Sequence, residues 1–72
     1  MINEQVSNLG LSILLTVEEA ADLLRLGRTN TYELVMSGKL LSVKIGRRRL
    51  VVRSGIQDFV DRLVTEQRDE ME

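Results

Sequence analysis

The sequence predicts a single small α+β domain, mainly helical, in which two short helices precede a β-hairpin and a third helix. Apolar residues recur at helical spacing from Val17 to Leu24 and again from Ile56 to Val64. Between Leu40 and Val52 the residues are instead mostly apolar and β-branched, with an interruption at Gly46, which is typical of a hairpin. The length of 72 residues allows only one limited core.

The first two helices carry signals at their ends. Thr16 followed three residues later by Glu19 is a capping box, in which each residue satisfies an amide of the other at a helix N-terminus. Gly27 predicts a tight turn, because glycine readily adopts the left-handed conformation that ends a helix. Gly38 predicts the end of the second helix in the same way. Two helices joined by such a turn form a helix-turn-helix.

The second helix is predicted over Arg28 to Met36, with one apolar side facing the core. The predicted inward residues are Thr31, Leu34 and Val35. The predicted outward residues are Arg28, Thr29, Asn30, Tyr32 and Glu33. Arginine, threonine, asparagine and tyrosine are side chains that hydrogen-bond to base edges or phosphates. The alternative is a polar surface without a partner.

The hairpin is predicted to turn at Gly46 and Arg47. The side chains predicted to face the core are Val43, Ile45, Leu50 and Val52. Lys44, Arg47 and Arg49 then project outward. Arg48 falls on the inward side, so that either a bulge redirects it or its aliphatic stem lies along the edge of the core with the guanidinium in solvent.

The hairpin is strongly basic. Between Val43 and Arg53 there is no acidic residue. A basic hairpin taken alone is compatible with a charged tip that keeps the protein soluble. Directly after a helix-turn-helix, it predicts the wing of a winged helix-turn-helix, whose second helix enters the major groove while the hairpin contacts the adjacent backbone or minor groove. The predicted wing contacts are Lys44, Arg47, Arg48 and Arg49.

The charge is divided between the two parts of the chain, although the formal net charge is only -1. From Ile13 to Arg53 there are eight basic and four acidic residues, whereas from Ser54 to the end there are two basic and six acidic residues. The average therefore does not exclude nucleic acid as a partner.

The third helix is predicted to begin at Ser54, which forms a second capping box with Gln57, and to bury Phe59 in the core. We expect residues 1–12 to form a flexible N-terminal arm, residues 13–64 to form the DNA-binding domain and residues 65–72 to form an acidic disordered tail.

Composition argues against several functions. The chain has no cysteine and no histidine, which removes thiolate metal sites, disulfides and the commonest general base, so we expect no enzyme activity, no metal and no cofactor. Aromatic residues are limited to one tyrosine and one phenylalanine, which argues against base stacking on a sheet. No apolar run approaches the roughly 18 residues of a membrane span, and the N-terminus does not resemble a signal peptide, so we expect a cytoplasmic protein.

Several motifs occur in one order: the capped helix, the glycine turn, Arg-x-x-x-Tyr at Arg28 and Tyr32, then S-G-K-L, V-K-I-G-R-R-R and R-S-x-I. This order, from Leu14 to about Leu63, resembles the excisionase family. These are small winged-helix DNA-binding proteins of phages and integrative elements, similar in fold to the DNA-binding domain of MerR-like regulators. The chain departs from the family pattern at Gly27, where relatives commonly have serine, and at Val52, where many have proline.

The resemblance implies that double-stranded DNA is the partner and that the protein works in a bacterial or phage-infected cell. Excisionases bind the attachment region, often as several neighbouring copies, bend the DNA and direct an integrase toward excision, whereas close relatives regulate transcription. An integrase and further copies of the chain are thus expected partners, and a small-molecule substrate is not. A small transcriptional regulator of a phage or integrative element remains an alternative. A protein-interaction module, with the hairpin and third helix docked on an acidic partner, is the alternative from another class.

Individual roles follow from side-chain chemistry. Arg28 suits a bidentate contact to guanine or a phosphate, and Thr29 suits a phosphate or a thymine methyl. Tyr32 either donates to a phosphate or packs against the wing. Glu33 either accepts from cytosine or orients an arginine. The wing residues are expected to supply affinity that depends on salt and little base discrimination.

Overall fold

The computed structural model of the chain describes residues 12–71, with side chains for residues 12–68. The elements are β1 (Leu14–Leu15), α1 (Val17–Leu24), α2 (Arg28–Met36), β2 (Ser42–Ile45), β3 (Arg48–Val52) and α3 (Arg53–Met71). The three strands form one antiparallel sheet in the order β1-β3-β2. The prediction of a small, mainly helical α+β winged helix-turn-helix is confirmed. The predicted arm over residues 1–12 lies outside the described residues except for Ser12.

The turn between α1 and α2 differs from the prediction, although the start of α1 does not. The capping box is present, because Thr16 Oγ1 accepts from the amide of Glu19 at 3.0 Å and Glu19 Oε1 accepts from the amide of Thr16 at 2.9 Å. The left-handed residue is Arg25, with φ 59°, and the prediction of a left-handed Gly27 is wrong. Gly27 is extended, with φ -69° and ψ 156°, because it is the N-cap of α2 and its carbonyl accepts the first helical amide, that of Thr31, at 3.1 Å.

The other two predicted glycine turns are confirmed. Gly38 has φ +83° and follows the last turn of α2. Gly46 has φ +62° and is the first residue of the two-residue turn that it forms with Arg47 between β2 and β3. Because φ is positive at Gly46 but not at Arg47, the turn is of type II′, which matches the twist of an antiparallel hairpin.

The face of the hairpin that meets the core is the opposite of the predicted one. Val51 is fully buried, whereas Val43 is 37% exposed and Ile45 is 55% exposed. Val51 pairs with Leu15 of β1, which is also buried, so this face of the sheet lies against the helices. Leu50, Val51 and Val52 are apolar in succession and therefore satisfy either phase of a strand, which is why alternation alone could not choose between them.

Arg48 needs neither of the two arrangements that were predicted for it. The pairing runs continuously from Ser42 opposite Val51 to Ile45 opposite Arg48, without a bulge among these four pairs. Arg48 consequently shares the outer face with Ile45 and is exposed.

The core lies between the helices and the inner face of the sheet. Its buried residues are Val17, Ala20, Val35, Leu40, Val51 and Phe59, with Leu24, Leu34, Ile56 and Val60 packed against them. The central role predicted for Phe59 is therefore confirmed. Each of the three helices and β3 contributes at least one buried side chain, so the positions of α2 and the hairpin depend on the same core.

The third helix begins and ends elsewhere than predicted. It begins at Arg53, immediately after β3, and the amide of Arg53 donates to the carbonyl of Ile13 at 2.8 Å. The predicted capping box at Ser54 is replaced by another contact, because the side-chain amide of Gln57 donates to Asp61 Oδ1 at 3.0 Å. The helix continues through Met71, which corrects the expectation of a disordered tail from residue 65. Glutamate, glutamine and arginine are good helix formers, so this stretch prolongs α3 without an apolar face.

No helix in the part of the chain from Ser12 to Met71 is long and apolar enough to cross a membrane.

Candidate nucleic-acid interface

Helix α2 is attached to the domain by its inner side. Thr31 and Val35 are buried and Leu34 is partly buried, as predicted. Thr31 is polar but satisfied, because its hydroxyl donates to the carbonyl of Gly27 at 2.9 Å. The hydroxyl of Thr31 is thus satisfied at the N-terminus of its own helix and needs no polar partner from another part of the core.

The five outward residues predicted on α2 are all exposed. Since successive residues turn by about 100° around a helix, Thr29 and Glu33 lie furthest from the core. Arg28 and Tyr32 lie on one flank. Asn30 lies on the other flank, where it lines a shallow groove that also includes Phe59 of α3. The outer surface of α2 therefore presents a hydroxyl and a carboxylate in its middle, with a guanidinium and a phenol beside them.

Arg28 has a contact that sequence reasoning missed. Its Nε lies 3.1 Å from Oε2 of Glu18, in the first turn of α1. Both side chains remain largely in solvent, with 69% of Arg28 and 49% of Glu18 exposed. The spacing of ten residues gives no local signal for this pair, because it depends on the angle at which α1 and α2 cross.

The hairpin holds two like charges side by side. Lys44 lies directly opposite Arg49 in the pairing of β2 with β3, so both side chains project from the same face as Val51. Arg49 Nη1 also donates to Ser42 Oγ at 3.2 Å on that face. Two positive charges placed opposite each other weaken a hairpin, by roughly 0.2–1 kcal/mol by analogy with measured cross-strand pairs. A negative group between them removes that cost.

The remaining predicted wing residues lie elsewhere on the hairpin. Arg47 is the second residue of the turn at its tip, and Arg48 projects from the outer face. Both are exposed. The structure thus brings Lys44 and Arg49 together on the face that lies against the helices, and it separates Arg48 from them.

The arrangement offers groups suited to binding. Within residues 12–71 no cluster of three or more carboxylates is placed to hold a metal ion. Apart from Glu33, the side chains that sequence reasoning selected carry hydrogen-bond donors and are exposed, which suits contact with a large anionic partner.

Comparisons with known proteins identify the type of domain. The family described as "Helix-turn-helix domain" matches residues 14–63. A protein of Saccharopolyspora erythraea named "Probable excisionase" is 56% identical over 55 residues, which are 76% of this chain and 56% of that protein. The chain thus spans little more than half the length of that relative. No solved structure matches the chain significantly.

Proposed function

Because the chain belongs to the helix-turn-helix domain family, a family of DNA-binding domains, we propose that it acts as an excisionase. In this role it binds and bends double-stranded DNA of an attachment site and directs an integrase toward excision. The observation that carries the proposal is the 56% identity to the probable excisionase, over a stretch that covers 76% of this chain. At this identity, the stretch of the relative is expected to keep the same fold and much of the same surface.

Helix α2 is proposed to enter the major groove. In helix-turn-helix proteins the N-terminal residues of the second helix contact base edges, while the first helix crosses the backbone. Arg28 and Thr29 are the first two residues of α2 and are exposed. Tyr32 and Glu33 follow one turn later. We therefore assign base reading to Arg28 and Glu33, and phosphate or thymine contacts to Thr29, Tyr32 and Asn30.

The hairpin is proposed to hold the DNA backbone through Lys44 and Arg49. These two like charges repel each other in the free protein, and a phosphate between them converts the repulsion into two charge-assisted contacts. Arg47 at the tip adds a third contact. This explains why a hairpin of a small domain keeps two positive charges directly opposite each other.

Bending requires that the DNA be held at more than one place. Bending a site of 20–30 base pairs by 40–90° costs on the order of 1–6 kcal/mol, which further protein contacts must supply. The hairpin provides such contacts at a distance from α2. Since α2 and β3 share one core through Val35 and Val51, the two contact points move as one body.

The test has three stages, each with the purified chain. Binding to duplexes from an attachment region is measured across a salt series, beside an unrelated duplex of equal length. Bending is measured by energy transfer between dyes at the duplex ends. Excision is measured with the integrase of the same element. Arg28→Ala should remove sequence preference, whereas Arg68→Ala, an equal loss of charge near the end of α3, should leave it unchanged.

The three stages separate the possible outcomes. Binding, bending and stimulated excision together support the excisionase role. Binding without any stimulation of excision would identify a DNA-binding regulator instead. Failure of the native chain to bind duplex DNA even at low salt would refute DNA binding and favour a protein-interaction module.

A further inference from the structure

We propose that Glu18 of α1 positions the guanidinium of Arg28 for base reading and thereby sets part of the sequence specificity of α2. The inference rests on the proposed DNA-binding function. Its basis is the contact of 3.1 Å between Arg28 Nε and Glu18 Oε2, which joins the first turns of the two helices. Glu18 is thus a positioning residue that acts through Arg28.

The atom that Glu18 contacts determines which part of Arg28 remains available. With Nε held by the carboxylate, the two terminal amino groups of the guanidinium stay free. A pair of parallel donors of this kind matches O6 and N7 of guanine, the commonest specific arginine contact in the major groove. The carboxylate therefore fixes the direction of the fork without occupying it.

Stability alone does not account for the pair. Arg28 is 69% exposed and Glu18 is 49% exposed, and ion pairs at such positions contribute little to folding. On a DNA-binding surface an acid also carries a cost, because it repels phosphates. Restricting a long, flexible side chain to one direction before binding offsets that cost, because less rotamer freedom is lost in the complex.

The pair also lowers binding to the wrong DNA. An unrestrained arginine contacts the phosphates of any sequence, which raises non-specific affinity. An arginine held by Glu18 has its charge partly neutralised until a guanine lies in front of it. Glu18 is therefore expected to raise the ratio of specific to non-specific affinity in two ways, by orienting Arg28 and by weakening its attraction to phosphates.

The experiment uses the native chain and a duplex that it selects from a randomised library. Affinity is measured for this duplex, for the same duplex with each guanine replaced in turn, and for an unrelated duplex. The test variant is Glu18→Gln. The control is Asp22→Asn, which removes the same charge from an exposed position one turn further along α1. Circular dichroism and thermal unfolding verify that both variants fold.

Glu18→Gln should lower the ratio of specific to non-specific affinity about two- to fivefold, the coupling that exposed ion pairs typically show. The discrimination that is lost should concern one guanine of the duplex. This guanine is the one whose replacement also makes Arg28→Ala without effect on affinity. Asp22→Asn should raise both affinities alike and leave the ratio unchanged. In an Arg28→Lys background, which keeps the charge but has no planar fork, Glu18→Gln should lower the ratio less, because only the weakened attraction to phosphates remains to be lost.

A ratio that responds equally to Glu18→Gln and Asp22→Asn would overturn the inference while the DNA-binding function stands. The same holds if Glu18→Gln lowers the ratio as strongly in the Arg28→Lys background, because Glu18 would then not act by orienting the planar fork of Arg28. If the native chain shows no sequence preference, or no affinity for duplex DNA, the proposed function fails and the inference fails with it.

Discussion

The two faces of the hairpin predict that its arginines contribute unequally to DNA binding. Arg49 projects from the face that lies against the helices, whereas its neighbour Arg48 projects from the outer face. If the DNA backbone lies along one face of the hairpin, side chains on that face contact it and side chains on the other face do not. With Arg47 at the tip, we expect two of the three arginines to neutralise phosphates, and Arg48 to be the one that does not.

The salt dependence gives this prediction a magnitude. Each neutralised phosphate contributes roughly 0.9 to the slope of log affinity against log salt on duplex DNA. Arg49→Ala should therefore reduce the slope by about 0.9, and Arg48→Ala should change it by less than about 0.3. Alanine at Arg47, Arg48 and Arg49 together should reduce it by about 1.8, so that the native chain loses about twelvefold more affinity than the triple variant between 50 and 200 mM salt.

The assay is fluorescence anisotropy of a labelled duplex at five or more salt concentrations, with Arg68→Ala as the control for loss of one positive charge. Thermal unfolding of each variant shows whether the hairpin remains folded. A reduction of about 2.7 in the triple variant would mean that all three arginines contact phosphates. A larger effect of Arg48→Ala than of Arg49→Ala would refute the assignment of faces to DNA.

Three further substitutions test the local structure. Gly27→Ser should stabilise the fold by a few tenths of a kcal/mol, or roughly 2 °C in thermal unfolding, because the N-cap of α2 has room for a side chain and lacks a side-chain cap bond. A midpoint temperature that is unchanged or lower would contradict this. Gly55→Ala should destabilise the protein by about 1 kcal/mol or more in urea unfolding, because its Cβ would lie 2.7 Å from Leu41 Cβ and this overpacking outweighs the gain in helix propensity. Ser54→Ala, at the preceding exposed position, serves as the control, and a Gly55→Ala variant that is as stable as this control would contradict the prediction. Lys44→Thr should stabilise the free protein by up to about 1 kcal/mol at low salt, because it removes the like-charge pair with Arg49, and it should weaken DNA binding. A loss of stability in the free protein would show that Lys44 and Arg49 do not repel each other.

Much of the fold could be predicted because its signals are local. The capping box at Thr16, the turns at Gly38 and Gly46, and the buried positions of α2 depend on residues within a few positions of one another. The order of these motifs also led to the resemblance to the excisionase family, which the family match and the probable excisionase of Saccharopolyspora erythraea confirm. The exposure of the predicted recognition residues followed from the same helical period.

The features that could not be predicted depend on distant parts of the chain. The start of α3 at Arg53 is tied to Ile13, forty residues earlier, through a backbone hydrogen bond. The contact between Gly55 and Leu41 depends on how α3 crosses the segment before β2. Glu18 could not be assigned to the site because its contact with Arg28 is set by helix packing. The left-handed conformation at Arg25 shows that composition alone is a weak guide inside a turn, since glycine was available two residues later.

The reversed hairpin face has the largest consequence for function. Had Val43 and Ile45 faced the core, Lys44 and Arg49 would have pointed away from the helices. Because Val51 and Leu15 occupy the core instead, Lys44 and Arg49 project from the face of the sheet that meets the helices. A basic hairpin can assist a recognition helix only if both contact the same duplex, and we expect the charges on this face to make that contact. Val43 and Ile45 consequently remain exposed on the outer face, because the alternation along β2 that directs Lys44 toward the helices directs these two side chains away from the core.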